Sequence, residues 1–274
     1  MSTYVISDLH GQLGAFENLL EKTSYQPGED RLFLLGDYVD WGPQSIDLLE
    51  RIIDMKQSGQ QVRCVLGNHD LLMRQVIGNL GIDCELQVDE FMQNLWLRWW
   101  EDNDGLATLE QYLTLCSEKK QRIYQFLSDL ELYIPNVEVA GRRFYLCHSV
   151  PLIQSDPQSI VLLEHLFTRV WEYDFTHFRE IYPDDIILCG HTITNYYWQN
   201  MLFDCEDDEP SSGSSYAPYV KGDLFRIFHD TELNLISLDC GGKLLGRSLY
   251  SKAKLASLRL DDMQVFYSAK SNIS

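Results

Sequence analysis

Short apolar runs alternate along the chain with stretches whose apolar residues recur every three or four positions. Thr3–Ser7 reads as a strand, and Leu13, Phe16, Leu19 and Leu20 after it fall on one face of a helix. Arg31–Leu35 is a second strand. Pro43, suited to a first helical position, opens a helix carrying Ile46, Leu49, Ile52 and Ile53. Gln61–Leu66 is a third strand, and Asn68 stands where it would cap the helix that follows. Strand–helix–strand alternation of this kind predicts a mainly parallel sheet in an α/β architecture.

The pattern changes over 83–131, where long helical periodicities appear without a clear strand. Trp96, Trp99 and Trp100 sit at i, i+3 and i+4 and therefore share a helix face. Such a face ordinarily packs on the body of the protein, and a cap whose inner wall meets substrate is the sharper alternative. Strands resume at Leu132–Val139, Arg143–Cys147 and Asp185–Cys189. The stretch 205–218, rich in acids, Ser, Gly and Pro, reads as a mobile surface loop. The remainder is β-rich, with runs at Leu224–Phe228, Leu233–Leu238, Lys254–Leu260 and Met263–Tyr267, and a hairpin turn at Asp261-Asp262 between the last two. With no internal repeat, residues 1–274 are expected to form one α/β domain with a helical insertion.

Composition narrows the class. Hydrophobic residues at 45% and aromatics at 12% are ample for a buried core. No apolar run approaches the roughly 18 residues needed to span a bilayer, and the first ten residues lack the basic and apolar segments of a signal peptide. Seven scattered cysteines without a C-x-x-C pair suit reduced, buried thiols in a cytoplasmic setting. The 41 acids and 22 bases leave a net charge of −19, which argues against nucleic acid or an anionic membrane surface as partner. The same charge repels an anionic substrate unless a local positive site captures it.

Candidate chemistry gathers at the carboxyl ends of the strands. Asp8 and His10 follow the first strand at i, i+2 spacing, which in extended chain points both the same way. Asp37 and Asp40 follow the second, after Gly36, and Asn68, His69 and Asp70 follow the third, after Gly67. His148 and His191 close the next two runs. Carboxyl ends of strands are where open α/β sheets bind ligands. His165, His177 and His229 do not share this placement. Asp, His and Asn together are the donors that hard-to-borderline divalent cations accept. A two-metal site needs a bridging carboxylate, and Asp37 is the natural one. Asp8 and His10 would complete one ion, and Asn68, His148 and His191 the other. Two carboxylates against two divalent ions leave a formal +2 for an anion. His69 would remain free to protonate a leaving oxygen, with Asp40 holding its other ring nitrogen.

Ser-Asp8-Leu-His10-Gly, Gly36-Asp37-Tyr-Val-Asp40-Trp-Gly42, Gly67-Asn68-His69-Asp70, His148 and Gly190-His191-Thr192 resemble, in order, the motifs of the PPP-type metallophosphoesterases. That family includes the serine/threonine protein phosphatases and the bacterial symmetrical bis(5′-nucleosyl)-tetraphosphatases. Leu238-Asp239-Cys-Gly241 and the closing hairpin resemble the family's ending, so most of the chain is covered. The resemblance implies a calcineurin-like fold, two mixed sheets packed as a sandwich flanked by helices. It implies hydrolysis of phosphoesters by direct attack of a metal-bridging hydroxide. It carries the metal roles onto Asp8, His10, Asp37, Asn68, His148 and His191, and the acid pair onto His69 and Asp40. Manganese is the metal it suggests; iron and zinc suit the same donors.

The chain also departs from the pattern. Many family members place arginines where Trp41 and Leu66 stand here, and a guanidinium is the usual clamp on phosphate oxygens. Arg169 resembles the third family arginine, although Phe167 replaces a tryptophan nearby, and it is the expected phosphate contact together with Asn68. Trp41 could stack on a nucleobase or a phosphotyrosine ring, or pack against the Trp-rich insertion. Tyr196, Tyr197 and Trp198 could line a substrate wall or belong to the core. The leading expectation is a serine/threonine phosphatase-like enzyme acting on phosphorylated protein or a small phosphomonoester. A symmetrical diadenosine tetraphosphate hydrolase is the alternative, supported by Leu66. The missing arginines motivate a further alternative, a non-catalytic metal-binding regulator. Oligomeric state is not fixed by the sequence.

Overall fold

The computed structural model describes residues 1–80, 90–149, 182–197 and 223–269, the side chains of 90–94 excepted. The first sheet runs in the order β10-β9-β1-β2-β3. Strands β1 (Thr3–Ile6), β2 (Arg31–Leu34) and β3 (Gln61–Cys64) are parallel, with Val5 opposite Phe33 and Phe33 opposite Arg63. Strands β9 (Ala256–Arg259) and β10 (Gln264–Tyr267) add an antiparallel hairpin beside β1. The second sheet runs β4-β5-β6-β8-β7. Here β5 (Arg142–Cys147), β6 (Asp185–Cys189) and β8 (Leu235–Ser237) are parallel, flanked by antiparallel β4 (Tyr133–Val139) and β7 (Phe228–Asp230).

The two sheets face each other through one apolar layer. Val5, Phe33, Leu35 and Leu258 of the first meet Phe144, Leu146, Leu188 and Ile236 of the second. On its other face the first sheet packs Tyr4, Ile6, Leu32 and Leu34 against helices α1 (Leu13–Lys22), α2 (Ser45–Gln57) and α3 (Asn68–Leu80). Alternate residues of β1 and β2 therefore enter different cores, which is why these strands read as unbroken apolar runs. The expected sandwich of two mixed sheets flanked by helices is the observed architecture.

Helices α4 (Glu90–Asp102), α5 (Leu106–Leu113) and α6 (Ser117–Ser128) lie on α2 and α3. Trp96 and Trp100 of the aromatic stripe are buried in that helical core, while Trp99 is partly exposed.

Several boundaries move for local reasons. Helix α2 starts at Ser45, two residues past Pro43, because Gln44 is not helical (φ −128°) and its N–H donates to Gly11 O. Asn68 is the first residue of α3 and turns its side chain toward two histidines, so it does not cap. Strand β3 ends at Cys64, after which Leu66 N–H donates to Glu131 O. The run Leu224–Phe228 contributes only Phe228 to β7, and Ile227 N–H donates to the Tyr267 hydroxyl. Met263, expected within the last strand, is the left-handed residue of the hairpin turn (φ +61°).

Candidate metal centre

Each parallel strand ends in a loop that turns sharply over the sheet edge. Asp8 (φ +54°), His10 (φ +41°), Asp37 (φ +54°), Asp40 (φ +69°), Trp41 (φ +66°) and His191 (φ +65°) all adopt left-handed backbone. Asp8 and His10 are therefore not presented by extended chain, as their i, i+2 spacing suggests. The turn between them brings both inward, with Asp8 N–H on Gly36 O and His10 N–H on Asp37 O. Neighbouring loops interlock so closely that glycine is required where they cross. A Cβ on Gly67 would strike Asp37 Oδ1, and one on Gly190 would strike Asp8 Oδ2 and Ser7 Oγ.

Asp37 stands at the middle. His10, Asp37 and His69 offer ligand atoms within 4.8 Å of one another, and so do Asp37, His148 and His191. Leu35 O accepts from His148 Nδ1 at 2.7 Å and Val39 O from His10 Nδ1 at 3.0 Å. These carbonyls place the ring protons on Nδ1 and leave both Nε2 atoms with bare lone pairs. Those lone pairs face Asp37: His148 Nε2 lies 3.4 Å from Oδ1, and His10 Nε2 lies 3.6 Å from Oδ2. Asn68 Oδ1 lies 2.9 Å from His148 Nε2 and 2.9 Å from His191 Nδ1. Acceptors pointed at one another across such gaps are what a cation between them would reconcile.

Asp8 lies in neither triad. Its carboxylate takes the Ser7 hydroxyl and the His191 N–H, the latter at 3.0 Å. His69 fills the third corner beside His10 and Asp37 instead. Its backbone N–H donates to Asp37 Oδ1 at 3.0 Å, and its Nδ1 donates to Asp40 Oδ2 at 2.7 Å. That bond leaves Nε2 as the ring's working nitrogen. Asp40 Oδ2 also accepts the Trp100 indole N–H at 2.9 Å, so the insertion reaches into the centre through one hydrogen bond. Thr108 of α5 adds a second tie, its hydroxyl accepting Asp40 N–H at 3.2 Å.

Burial sets the electrostatics. Asp8 and Asp37 are held well above the ordinary carboxylate range by desolvation, then by Asp239 for Asp8 and by Asp8 for Asp37. His10 and His148 are held well below the ordinary imidazole value, again by burial, then by His69 and His191 respectively. Neutral imidazoles are the form that ligates a metal, and a divalent cation among the crowded carboxylates would relieve their mutual repulsion.

Two buried acids take part that the sequence pattern leaves without a role. Asp70 accepts the backbone N–H groups of Asp37, Gly67 and Tyr38 at 2.8, 2.9 and 2.9 Å. Burial pushes it up to about 6 against those three bonds. Its place in Gly-Asn-His-Asp was the available signal. Asp239 accepts Gly241 N–H at 2.9 Å and lies beside Asp8; burial lifts it to about 6, with Lys243 drawing it down. Arg169, Phe167 and Trp198 lie outside the described residues. Tyr197 stacks on Phe228 with centroids 5.0 Å apart, and Tyr196 is exposed.

The family model of calcineurin-like phosphoesterases matches residues 1–195. The chain belongs to this family. Among curated relatives, the symmetrical bis(5′-nucleosyl)-tetraphosphatase of Pseudomonas putida is 46% identical over 71 residues, 26% of this chain and 24% of that protein. The chain thus spans about a quarter of that relative's length in the aligned part. A cold-active protein-tyrosine phosphatase of a psychrophilic Shewanella species aligns in structure with a TM-score of 0.52 at 15% identity, covering 98% of this chain and 80% of the other. A protein serine/threonine phosphatase from Saccharomyces cerevisiae gives 0.52 at 12% identity, covering 100% and 81%. Likeness at that identity shows the shared fold. The phosphoesterase family implies divalent metal ions, and the inward-facing donors around Asp37 fit them. No helix among the described residues is long and apolar enough to cross a membrane.

Proposed function

We propose that this calcineurin-like phosphoesterase is a two-metal hydrolase whose ions are held by Asp8, His10, Asp37, Asn68, His148 and His191. The observation that carries the reading is the shared position of Asp37, whose two oxygens face two separate sets of imidazoles. Held there, two divalent cations would supply Lewis-acid activation of water and would neutralise charge on a phosphoryl group. The chain's own residues do the rest. Leu35 O and Val39 O fix the ligand rings, and Asp70 ties the Asp37 loop to the start of α3. Asp40 accepts His69 Nδ1–H and orients the ring, leaving Nε2 as the atom that would hand a proton to a leaving oxygen. Arg169 and Asn68 remain the phosphate contacts expected from the family pattern.

The substrate follows one of two readings. Resemblance to the protein phosphatase branch favours a phosphomonoester on protein or a small molecule. The names of the curated relatives, with Leu66 and the aromatic Trp41 beside Asp40, favour a dinucleoside tetraphosphate. Manganese-loaded protein is incubated separately with phosphopeptide and with diadenosine tetraphosphate, and the consumed substrate decides between them. Asp37→Asn is expected to abolish turnover of either one and of 4-nitrophenyl phosphate. Activity that survives this substitution rules out the two-metal assignment, and inert wild-type protein supports the non-catalytic regulator.

A further inference from the structure

Positions 41 and 66 lack the guanidinium groups expected to clamp phosphate, and the pocket is crowded with buried acids: Asp8, Asp37, Asp40, Asp70 and Asp239. Arg169 lies outside the described residues, and a cation among the described ones would add to the charge the metal ions bring. The turn after β8 supplies one. Gly242 lies so close to the Asp8 loop that a Cβ on it would strike Asp8 O, and Gln12 Nε2 donates to Gly242 O at 3.3 Å. Gly241, left-handed at φ +89°, gives its N–H to Asp239. These ties pin the turn to the centre and launch Lys243 from it.

The Lys243 ammonium lies 5.7 Å from the centroid of the Trp41 ring, and the Arg247 guanidinium lies 4.7 Å from the same centroid. Trp41 follows Asp40, the residue bonded to His69, so both cations are gathered next to the proposed acid. Lys243 forms no ion pair among the described residues, yet its charge is felt at Asp8, His10, Asp37 and Asp239. Among the described residues the acid that Arg247 reaches is Asp104, at 3.7 Å and on the surface, a contact too weak to occupy it.

We propose that Lys243 and Arg247, mustered on the Trp41 ring, are further phosphate-binding cations of this protein beside the expected Arg169. Lys243 serves the phosphate at the metal-ligand cluster, and Arg247 serves a second phosphate joined to it. The ligand class is therefore a phosphate chain of two or more groups. The inference rests on the two-metal hydrolase reading and sharpens its substrate.

The test is calorimetric titration of manganese-loaded protein with inorganic phosphate and with pyrophosphate. A charge-assisted contact implies that Lys243→Gln weakens both ligands by about 10- to 100-fold, with Lys243→Arg restoring most of the loss. Arg247→Gln should weaken pyrophosphate by about tenfold and phosphate by less than about twofold. Unchanged binding in Lys243→Gln overturns the role of Lys243. Equal effects of Arg247→Gln on the two ligands, or none, overturn the second-phosphate site. Hydrolysis of 4-nitrophenyl phosphate by the same wild-type sample reports separately on the hydrolase reading. A protein that binds through Lys243 but never hydrolyses would sink that reading alone.

Discussion

Asp40→Asn isolates the charge that holds His69. In the native protein Asp40 Oδ2 accepts His69 Nδ1–H at 2.7 Å and Trp100 Nε1–H at 2.9 Å. The amide oxygen of asparagine can accept both donors in the same place, so the fold and the ring position should persist. What disappears is the negative charge beside a protonated imidazole. A hydrogen bond to a charged partner is worth about 1.5–3 kcal/mol against about 1 for a neutral one. The Coulomb attraction of a pair at about 4 Å adds up to about 4 kcal/mol when the surroundings are moderately polarisable. The acid is therefore expected to lose about 2–4 kcal/mol, or about 30- to 1,000-fold in rate at 1.36 kcal/mol per decade. The assay compares kcat of wild type and Asp40→Asn on an alkyl phosphate and on 4-nitrophenyl phosphate. The alkyl ester, whose leaving alkoxide needs a proton, should show the full loss. The nitrophenyl ester leaves as a stable anion and should lose less than about fivefold. Equal losses on both esters would refute proton donation by this pair and assign Asp40 to structure alone.

Other outcomes follow from the same geometry. Gly190→Ala forces a methyl group against Asp8 and Ser7, so manganese affinity measured by calorimetry should fall at least about tenfold while overpacking costs about 1–3 kcal/mol of stability. Gly14→Ala in α1 meets open space and should leave metal affinity unchanged while raising stability by about 0.5–1 kcal/mol, read from chemical denaturation. Brief alkylation at pH 8 followed by peptide mapping should modify exposed Cys116 and spare buried Cys64, Cys147, Cys189 and Cys240. Burial pushes the Cys64 thiol up to about 12, so little thiolate exists at that pH. Chelator should abolish turnover, whereas raising salt should lift KM only through the exposed Arg247 contact, because acids spread over the surface are screened beyond about 8 Å.

Much of this centre was legible because its donors sit at fixed places in the chain. The β1, β2 and β3 runs were readable from apolar continuity, and the polar residues after them marked the sheet edge. The pairing of His69 with Asp40 appears as expected, since both follow parallel neighbours whose ends are adjacent. What local patterns hide is long-range. Trp100 reads as an ordinary core aromatic on an amphipathic stripe, and only the docking of α4 brings its N–H to Asp40, 60 positions earlier. Asp239 follows a short apolar run as Asp8 does, but its contact with the Asp8 loop depends on how the second sheet stacks on the first. Lys243 and Arg247 belong to a turn with no periodicity, and nothing local reveals that their charges converge on Trp41. The i, i+2 rule for Asp8 and His10 fails as geometry, because it assumes extended chain where the backbone is left-handed.

The left-handed strand ends limit how this protein can be improved. Of the twelve non-glycine residues with positive φ among the described residues, six line the centre: Asp8, His10, Asp37, Asp40, Trp41 and His191. Glycine would hold the same turns without the Cβ penalty of roughly 1 kcal/mol apiece. A laboratory population selected for heat resistance alone should therefore drift toward glycine at these positions and toward an inert scaffold. Only a screen that demands turnover after heating would preserve the centre. Durability and competence pull on the same six residues, in three strand-end loops, in opposite directions.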